Sequence, residues 1–393
     1  MTSPARAKVQ FGLIFIAHAL GAMSVLSVLT AGPQLVAELG LTSVQLGALA
    51  SVYSAALAAA SLPAGLVTDR LGTRAALTLA AMIIASGLVL SATAQGVVTL
   101  GAGMALCGAG YGLINPAAGV AITLWFSPKW RTTLLSLKQT GVPAGAALGS
   151  LTALLGPLWG WQAGILCAAA IALAAGLLFL LLLPQAATRP PRKPADHNSL
   201  ARVLALPGLG RASMAAGLTN GMQFALWAHV PDLLQRSYGA GATMLALSLG
   251  ALHLGTFAGR IVWGALTDKL WRGNAAYALW WLCLLGLAGV TILGAGTLVA
   301  SPAPAILGCF LLGFTACAAV GLHVALTARI APDHLLGGAM GYTMLVANLG
   351  GIIVPILLGV AVALAGMAGA TLTLAVLMGM ALVLLRTCMS LPA

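Results

Sequence analysis

Apolar runs of roughly twenty residues follow one another from residue 10 to residue 388, separated by short polar breaks. Each run is long enough to cross about 30 Å of hydrocarbon as a helix. The pattern predicts helical spans at 10–33, 44–67, 74–94, 97–125, 133–156, 161–184, 208–235, 241–268, 275–297, 303–329, 337–363 and 366–387. The expected fold class is therefore an all-α membrane protein with twelve transmembrane helices. The sixth break is the only long one. "PQAATRPPRKPADHNSLARVLALPG" is proline-rich and basic, and reads as a linker. It divides the chain into a six-helix half at 1–184, a linker at 185–207 and a second six-helix half at 208–393.

Composition supports lipid as the solvent. The 393 residues are 61% hydrophobic and 6% charged, against about a quarter charged in a soluble domain. The net charge of +12 does not point to nucleic acid, because the basic residues are dispersed between apolar runs. Their distribution is instead topological. The termini and even-numbered gaps hold Arg6, Lys8, Arg70, Arg74, Lys129, Arg131, Arg189, Arg192, Lys193, Arg202, Arg211, Lys269, Arg272, Arg329 and Arg386, while the odd-numbered gaps hold Arg236 alone. This asymmetry predicts cytoplasmic termini and a cytoplasmic linker, with the first helix uncleaved. Six cysteines, all in apolar runs and none at metal-ligand spacing, read as small core residues.

The two halves repeat. "LGALASVYSAALAAASLPAGLVTDRLGTR" (46–74) aligns without gaps on "LALSLGALHLGTFAGRIVWGALTDKLWRG" (245–273), at an offset of 199. Both end in G-x-x-x-D-[RK]-L. A parallel repeat of two six-helix halves places a binding site between them, near the bilayer midplane.

These residues carry a family resemblance. "GLVTDRLGTR", Gly65 to Arg74, resembles the G-x-x-x-D-R-x-G-x-R loop motif of the major facilitator superfamily, and "GALTDKLWRG" is its weaker copy, with Trp271 where glycine is usual. "GVPAGAALG" is similar to that family's helix-5 motif. The resemblance implies the major facilitator fold and a gating role, in closing the cytoplasmic side, for Gly65, Asp69, Arg70, Gly72, Arg74, Asp268 and Lys269. A solvated turn carrying topogenic charges is the other reading of these residues.

Two basic residues remain inside predicted spans, Lys138 and Arg260. An arginine at the centre of an apolar helix costs about 3 kcal/mol on insertion scales. Arg260 lies 268 − 260 = 8 residues from Asp268, or about 12 Å at 1.5 Å per residue. All six acidic residues, Glu38, Asp69, Asp196, Asp232, Asp268 and Asp333, fall at or beyond the ends of the predicted spans. Arg260 then either meets a substrate carboxylate with its fork of donors or bonds backbone carbonyls. "GRIVWGALTDK" also resembles the helix-8 arginine segment of oxalate/formate exchangers and monocarboxylate transporters, which implies the carboxylate. Lys138, seven residues past Arg131, is either a second cation for the same anion or a lysine snorkelling to the membrane edge.

Histidine is the other group able to carry a proton in such spans. His18, His253 and His323 are candidates for a proton relay, and His253 shares a helix face with Arg260; packing histidines are the alternative. His229, just before "VPD", is a candidate gate residue with Asp232. Asn115, Gln223 and Asn348, with His18, His253 and Tyr53, complete the expected substrate-binding set, and Asn220 and Gln139 lie at similar depth. Enzyme readings fail for want of a nucleophile elbow, a Walker loop, a zinc spacing or a dinucleotide fingerprint. No cofactor and no metal is implied. The expected protein is a monomer of the cytoplasmic membrane. It moves a small organic anion, a mono- or dicarboxylate, by alternating access, as exchange or proton symport. The alternatives are a proton-coupled exporter of drugs or other hydrophobic compounds, and a non-transporting receptor on the same scaffold.

Overall fold

A computed structural model describes residues 4–126, 134, 137–152, 155–184, 199–299, 301–332 and 335–390; the side chains at 4, 5, 62, 65, 66, 69, 123, 157, 336 and 337 lie outside the described set. Most of the 185–207 linker, Lys129, Arg131 and Asp333 fall outside it as well, and so does the Asp69 side chain. Among the described residues the chain is helical and has no strand. Its helices are α1 (Pro4–Leu29), α2 (Gly32–Leu39), α3 (Ser43–Ala92), α4 (Val97–Trp125), α5 (Gly141–Thr152), α6 (Gly156–Trp159), α7 (Trp161–Leu182), α8 (Ser199–Leu204), α9 (Leu209–Tyr238), α10 (Ala242–Leu270), α11 (Ala275–Ala295), α12 (Ala303–Phe314), α13 (Val320–Ile330) and α14 (Leu336–Arg386).

Nine helical segments among the described residues are long and apolar enough to cross a membrane. Two long helices contain a break. In α3 it is Gly72, at φ 77; in α14 it is Ala365 and Gly366, the latter at φ 53. Glycine takes a left-handed backbone without steric cost, so these two positions mark the turns between successive spans. The 30-residue α9 is not among the nine. Its apolar character is diluted by Asn220, Gln223, His229 and Asp232.

Three features differ from the sequence reading. The first span ends at Leu29, not 33, because Pro33 opens the short helix α2, whose Glu38 accepts a hydrogen bond from Trp161 Nε1 at 2.8 Å. The tenth span is not one helix. It breaks at Thr315 (φ −110, ψ −93), passes through a 3-10 turn at Ala316–Ala318 and resumes as α13. Finally, α9 runs through Pro231 to Tyr238, where Gly239 caps it at φ 61. Asp232 therefore lies inside a helix and is only 2% exposed. It is a buried carboxylate, where the sequence reading had placed every acid at or beyond a span end.

Two compact units make up the chain, Met1–Leu41 with Val52–Arg192, and Thr42–Ser51 with Lys193–Ala393. The first turns of α3 thus pack in the second unit. Gly47 leaves no room for a side chain against the Pro355 carbonyl, and Ser51 Oγ donates to Ile352 O at 2.5 Å.

Candidate functional site

In the first unit the decisive feature is a row of glycines, Gly141, Gly145 and Gly149, one turn apart along α5. A Cβ on any of them would press on the α1 backbone: on Phe15 O from Gly141, on the Ala19 carbonyl from Gly145, on Met23 O from Gly149. Small residues at this spacing let two helix backbones approach closely. The approach fixes what stands just ahead of the row. Lys138, 5% exposed, lands on His18 of α1, which is fully buried.

Lys138 Nζ lies 3.0 Å from His18 Nε2 and 3.0 Å from Asn115 Oδ1 of α4. His18 Nδ1 is 3.3 Å from the Ile14 carbonyl, which can only accept, so Nδ1 carries the proton and Nε2 is the acceptor facing the lysine. His18 Nε2 and Asn115 Oδ1 are themselves 3.0 Å apart, both turned on one ammonium. The structure therefore brings together three of the predicted site residues. It holds a lysine by two neutral acceptors, with no described carboxylate in reach. His18 and Lys138 are buried while Asn115 is exposed, so the cluster opens at Asn115. Tyr53 stands beside it. Its hydroxyl donates to Gly21 O at 2.8 Å, which commits it to bracing α1. Tyr111 lies edge-on to the His18 ring at 6.3 Å.

The second unit is organised differently. Arg260 is half-buried on α10, beside the break in the tenth span. Gly259 presses on the Phe314 carbonyl, which the break releases and which accepts from Trp263 Nε1 at 2.8 Å. Cys317, in the 3-10 turn, is an electrostatic neighbour of Arg260. Interrupted helices inside a membrane are tolerated where they are covered by protein or line a cavity. His253 is buried on the same face of α10, and Asn348 is half-buried on α14. Asn220 Nδ2 donates to Ala347 O at 2.8 Å.

Along α9 and α13 several polar atoms are buried with no hydrogen-bond partner among the described residues: Gln223 Oε1, Trp227 Nε1 and His323 Nδ1. His323 Nε2 is 2.9 Å from Thr219 Oγ1, whose own hydroxyl reaches Ala215 O at 3.1 Å. The consistent arrangement has Nε2–H donating to the threonine, which leaves Nδ1 a bare acceptor. Gln223 and Trp227 are one turn apart and so share a helix face. Each buried, unsatisfied group costs about 1–3 kcal/mol. Trp227 was not singled out in the sequence; its buried N–H with no described partner is what brings it to notice.

Further along α9, His229 Nε2 donates to Pro355 O at 2.9 Å, and Asp232 Oδ1 accepts from Arg236 Nε at 2.8 Å. Asp232 Oδ2 and His229 Nδ1 have no described partner.

The two loop motifs differ in one measurable respect. Gly72 makes the left-handed turn of the first copy at φ 77. In the second copy Trp271 stands at that place with φ −116, and the left-handed turn moves on to Arg272 (φ 49) and Gly273 (φ 81). A residue with a Cβ resists this conformation by about 1–2 kcal/mol, so the turn slides until a glycine can share it. Arg70, Asp268 and Lys269 are exposed and Arg74 is half-buried. Among the described residues no group of three or more His, Cys, Asp or Glu is placed to hold a metal ion.

The family model described as Major Facilitator Superfamily matches residues 14–355. Among curated relatives, the "Probable L-galactonate transporter" of Escherichia coli (strain K12) is 26% identical over 67% of this chain, and the chain spans 62% of that relative's length. The "Hexuronate transporter" of Bacillus subtilis (strain 168) is 23% identical over 88% of this chain and 86% of its own. The "Gentisate transporter" of Corynebacterium glutamicum is 26% identical over 83% of this chain and 74% of its own. These relatives are organic acid transporters. Among solved structures, a bacterial homologue of the human lysosomal transporter Spinster, in an inward-facing and occupied conformation, aligns with a TM-score of 0.73 at 16% identity, over 99% of this chain and 96% of that one. The nucleoside transporter NupG aligns at 0.74 and 14%, over 97% and 99%. At such identities the likeness is one of fold.

Proposed function

This chain belongs to the Major Facilitator Superfamily, a family of multi-pass membrane transporters and not of enzymes, and from that premise we propose that it is a secondary active transporter of small organic anions. The substrate is a carboxylate bearing hydroxyl groups. It moves by alternating access, as exchange for another anion or in symport with protons. The observation that carries this reading is Lys138, a buried amine held by His18 Nε2 and Asn115 Oδ1, with no described carboxylate to balance it. A charge removed from water needs a counter-charge, and both supports here are neutral. The anion is the missing partner. In the second unit, Arg260 carries a fork that fits a carboxylate. The orphaned Gln223 Oε1 and Trp227 Nε1 offer an acceptor and a donor for hydroxyls. Galactonate, hexuronate and gentisate, the acids in the relatives' names, all combine a carboxylate with hydroxyl groups.

The test is flux. The purified chain in liposomes is loaded with unlabelled galactonate, a hexuronate or gentisate, and exchange against the labelled compound is followed. At least one should exchange. Lys138→Ala should bind it at least roughly 30-fold more weakly, the lower end of losing a partner from a desolvated, charged contact. If no organic anion moves while a lipophilic cation is extruded on an imposed proton gradient, the drug-exporter reading replaces this one.

A further inference from the structure

The left-handed turn of the second loop motif, displaced to Arg272 and Gly273, borders a pocket. This cavity of about 450 Å³ is lined by Leu270, Trp271, Arg272, Asn274, Tyr277 and Arg329. Arg272 projects from the left-handed position at φ 49, and Arg329 comes from the last turn of α13. Neither guanidinium is ion-paired with a described carboxylate. Asp268, a turn ahead of Arg272, is exposed and makes no ion pair with it. The floor is fixed by Asn274, whose Oδ1 caps α11 by accepting from Ala276 N at 3.1 Å and whose Nδ2 donates to Met389 O at 3.3 Å. Trp271 and Tyr277, which also line it, are side chains that favour the water–hydrocarbon boundary. Leu270, in the same lining, is 63% exposed.

We propose that this pocket binds the phosphate of an anionic phospholipid headgroup. Two planar forks converging on one cavity suit a tetrahedral oxyanion better than a point charge does. The turn joins two membrane helices, α10 and α11, so the pocket lies at the bilayer edge, where a headgroup is held by its acyl chains at high local concentration. An exposed apolar lining residue beside the two cations fits an amphiphile, whereas a free phosphate ion has no use for it. Trp271, standing where the loop motif has glycine, thus belongs to a lipid contact. The site is separate from the Lys138 cluster and does not depend on the substrate reading.

The variants follow from the backbone. Arg272→Gly removes one cation and at the same time relieves the left-handed strain, so the turn keeps its fold; Arg329→Gln removes the other at a helix end. Native mass spectrometry of the purified chain, titrated with phosphatidylglycerol, reads binding directly, with thermal stability measured in parallel. Wild type should bind phosphatidylglycerol at least about tenfold more tightly than the double variant, a difference of ~1.4 kcal/mol. Millimolar inorganic phosphate should neither displace the lipid nor stabilise the protein. Equal lipid affinity in wild type and double variant overturns the site. Stabilisation of wild type, and not of the variant, by inorganic phosphate overturns the lipid assignment in favour of a soluble phosphate.

Discussion

The two halves hold their membrane cations in opposite ways. In the first, Lys138 is held by two neutral acceptors, supplied by neighbouring helices and set in place by a glycine row, and its counter-charge is left to the ligand. In the second, Arg260 stands beside a broken helix, and buried polar atoms with no described partner, among them Gln223 Oε1, Trp227 Nε1 and His323 Nδ1, lie along α9 and α13. The repeat explains part of the contrast. At the offset of 199 Arg260 falls on 260 − 199 = 61, and Ser61 donates its hydroxyl to Leu57 O at 2.7 Å, within its own helix. The duplicated scaffold kept its loop and its small residues, and each half then placed a cation where the other has none. A held lysine offers its charge at a fixed place. Orphaned donors and acceptors gain most when a ligand arrives, and so carry selectivity.

Removing the second-half cation should have the largest effect. If Arg260 meets the substrate carboxylate, Arg260→Ala should weaken binding by roughly 30- to several-thousand-fold, the range for stripping a partner from a desolvated charged contact. Arg260→Lys keeps the charge but not the fork and should recover only part of that. Both should reach the membrane in normal amounts. Substrate binding by Arg260→Ala at wild-type strength would make the arginine a structural partner of the break at Thr315 and leave Lys138 as the sole anion site.

The glycine row gives the next largest effect. Gly145→Leu must push α5 off the Ala19 carbonyl and carry Lys138 away from His18. Overpacking of this kind costs about 1–3 kcal/mol, and substrate binding should fall with it. Gly264→Ala is the control, since nothing lies within 4 Å of the added carbon. Binding at wild-type strength by a folded Gly145→Leu protein would mean that the Lys138 network is not needed.

How much of this was legible in the sequence depends on the range of the interactions. Spans were readable because each is a continuous apolar run; the predicted 97–125 coincides with α4. The Gly72 turn was readable because the motif puts glycine where a left-handed backbone is needed. The break at Thr315 was not, because apolar residues flank it on both sides and no proline marks it. Its cause is tertiary: Gly259 and Trp263 of α10 press on and bond the Phe314 carbonyl. Asp232 reads as lying at a span end because the predicted span stops at 235, three residues short of the helix end at Tyr238. His18, Asn115 and Lys138 were each candidates, yet their meeting joins residues 97 and 120 apart, which no local period reveals. The G-x-x-x-G-x-x-x-G spacing after Lys138 was the one clue to its neighbour.

A smaller effect separates support from proton transfer at His18. His18→Gln keeps an acceptor for Lys138, so exchange should stay within about threefold of wild type, under 1 kcal/mol. His18→Leu leaves the ammonium one acceptor short and should lower thermal stability by about 1–3 kcal/mol. Loss of exchange in a stable His18→Gln protein would show that the imidazole's proton is required, which places a relay in the first half.

The smallest effect is the sharpest test of the orphaned atoms in the second half. Trp227 is 4% exposed, its Nε1–H has no described partner, and its ring meets Phe224 edge-on at 5.2 Å. Trp227→Phe retains an aromatic ring there and deletes the donor. Without substrate, removing a buried unsatisfied N–H should offset part of the cavity left by the smaller ring, so stability should change little. With substrate, one neutral hydrogen bond is lost, worth about 0.5–1.5 kcal/mol or roughly two- to twelve-fold in affinity. The loss should appear for a hydroxylated acid and vanish for the same carboxylate lacking hydroxyls, because the donor reads the hydroxyl and not the charge. Equal loss for both ligands would assign Trp227 to packing, and the selectivity of the second half would then rest on Gln223 and His323.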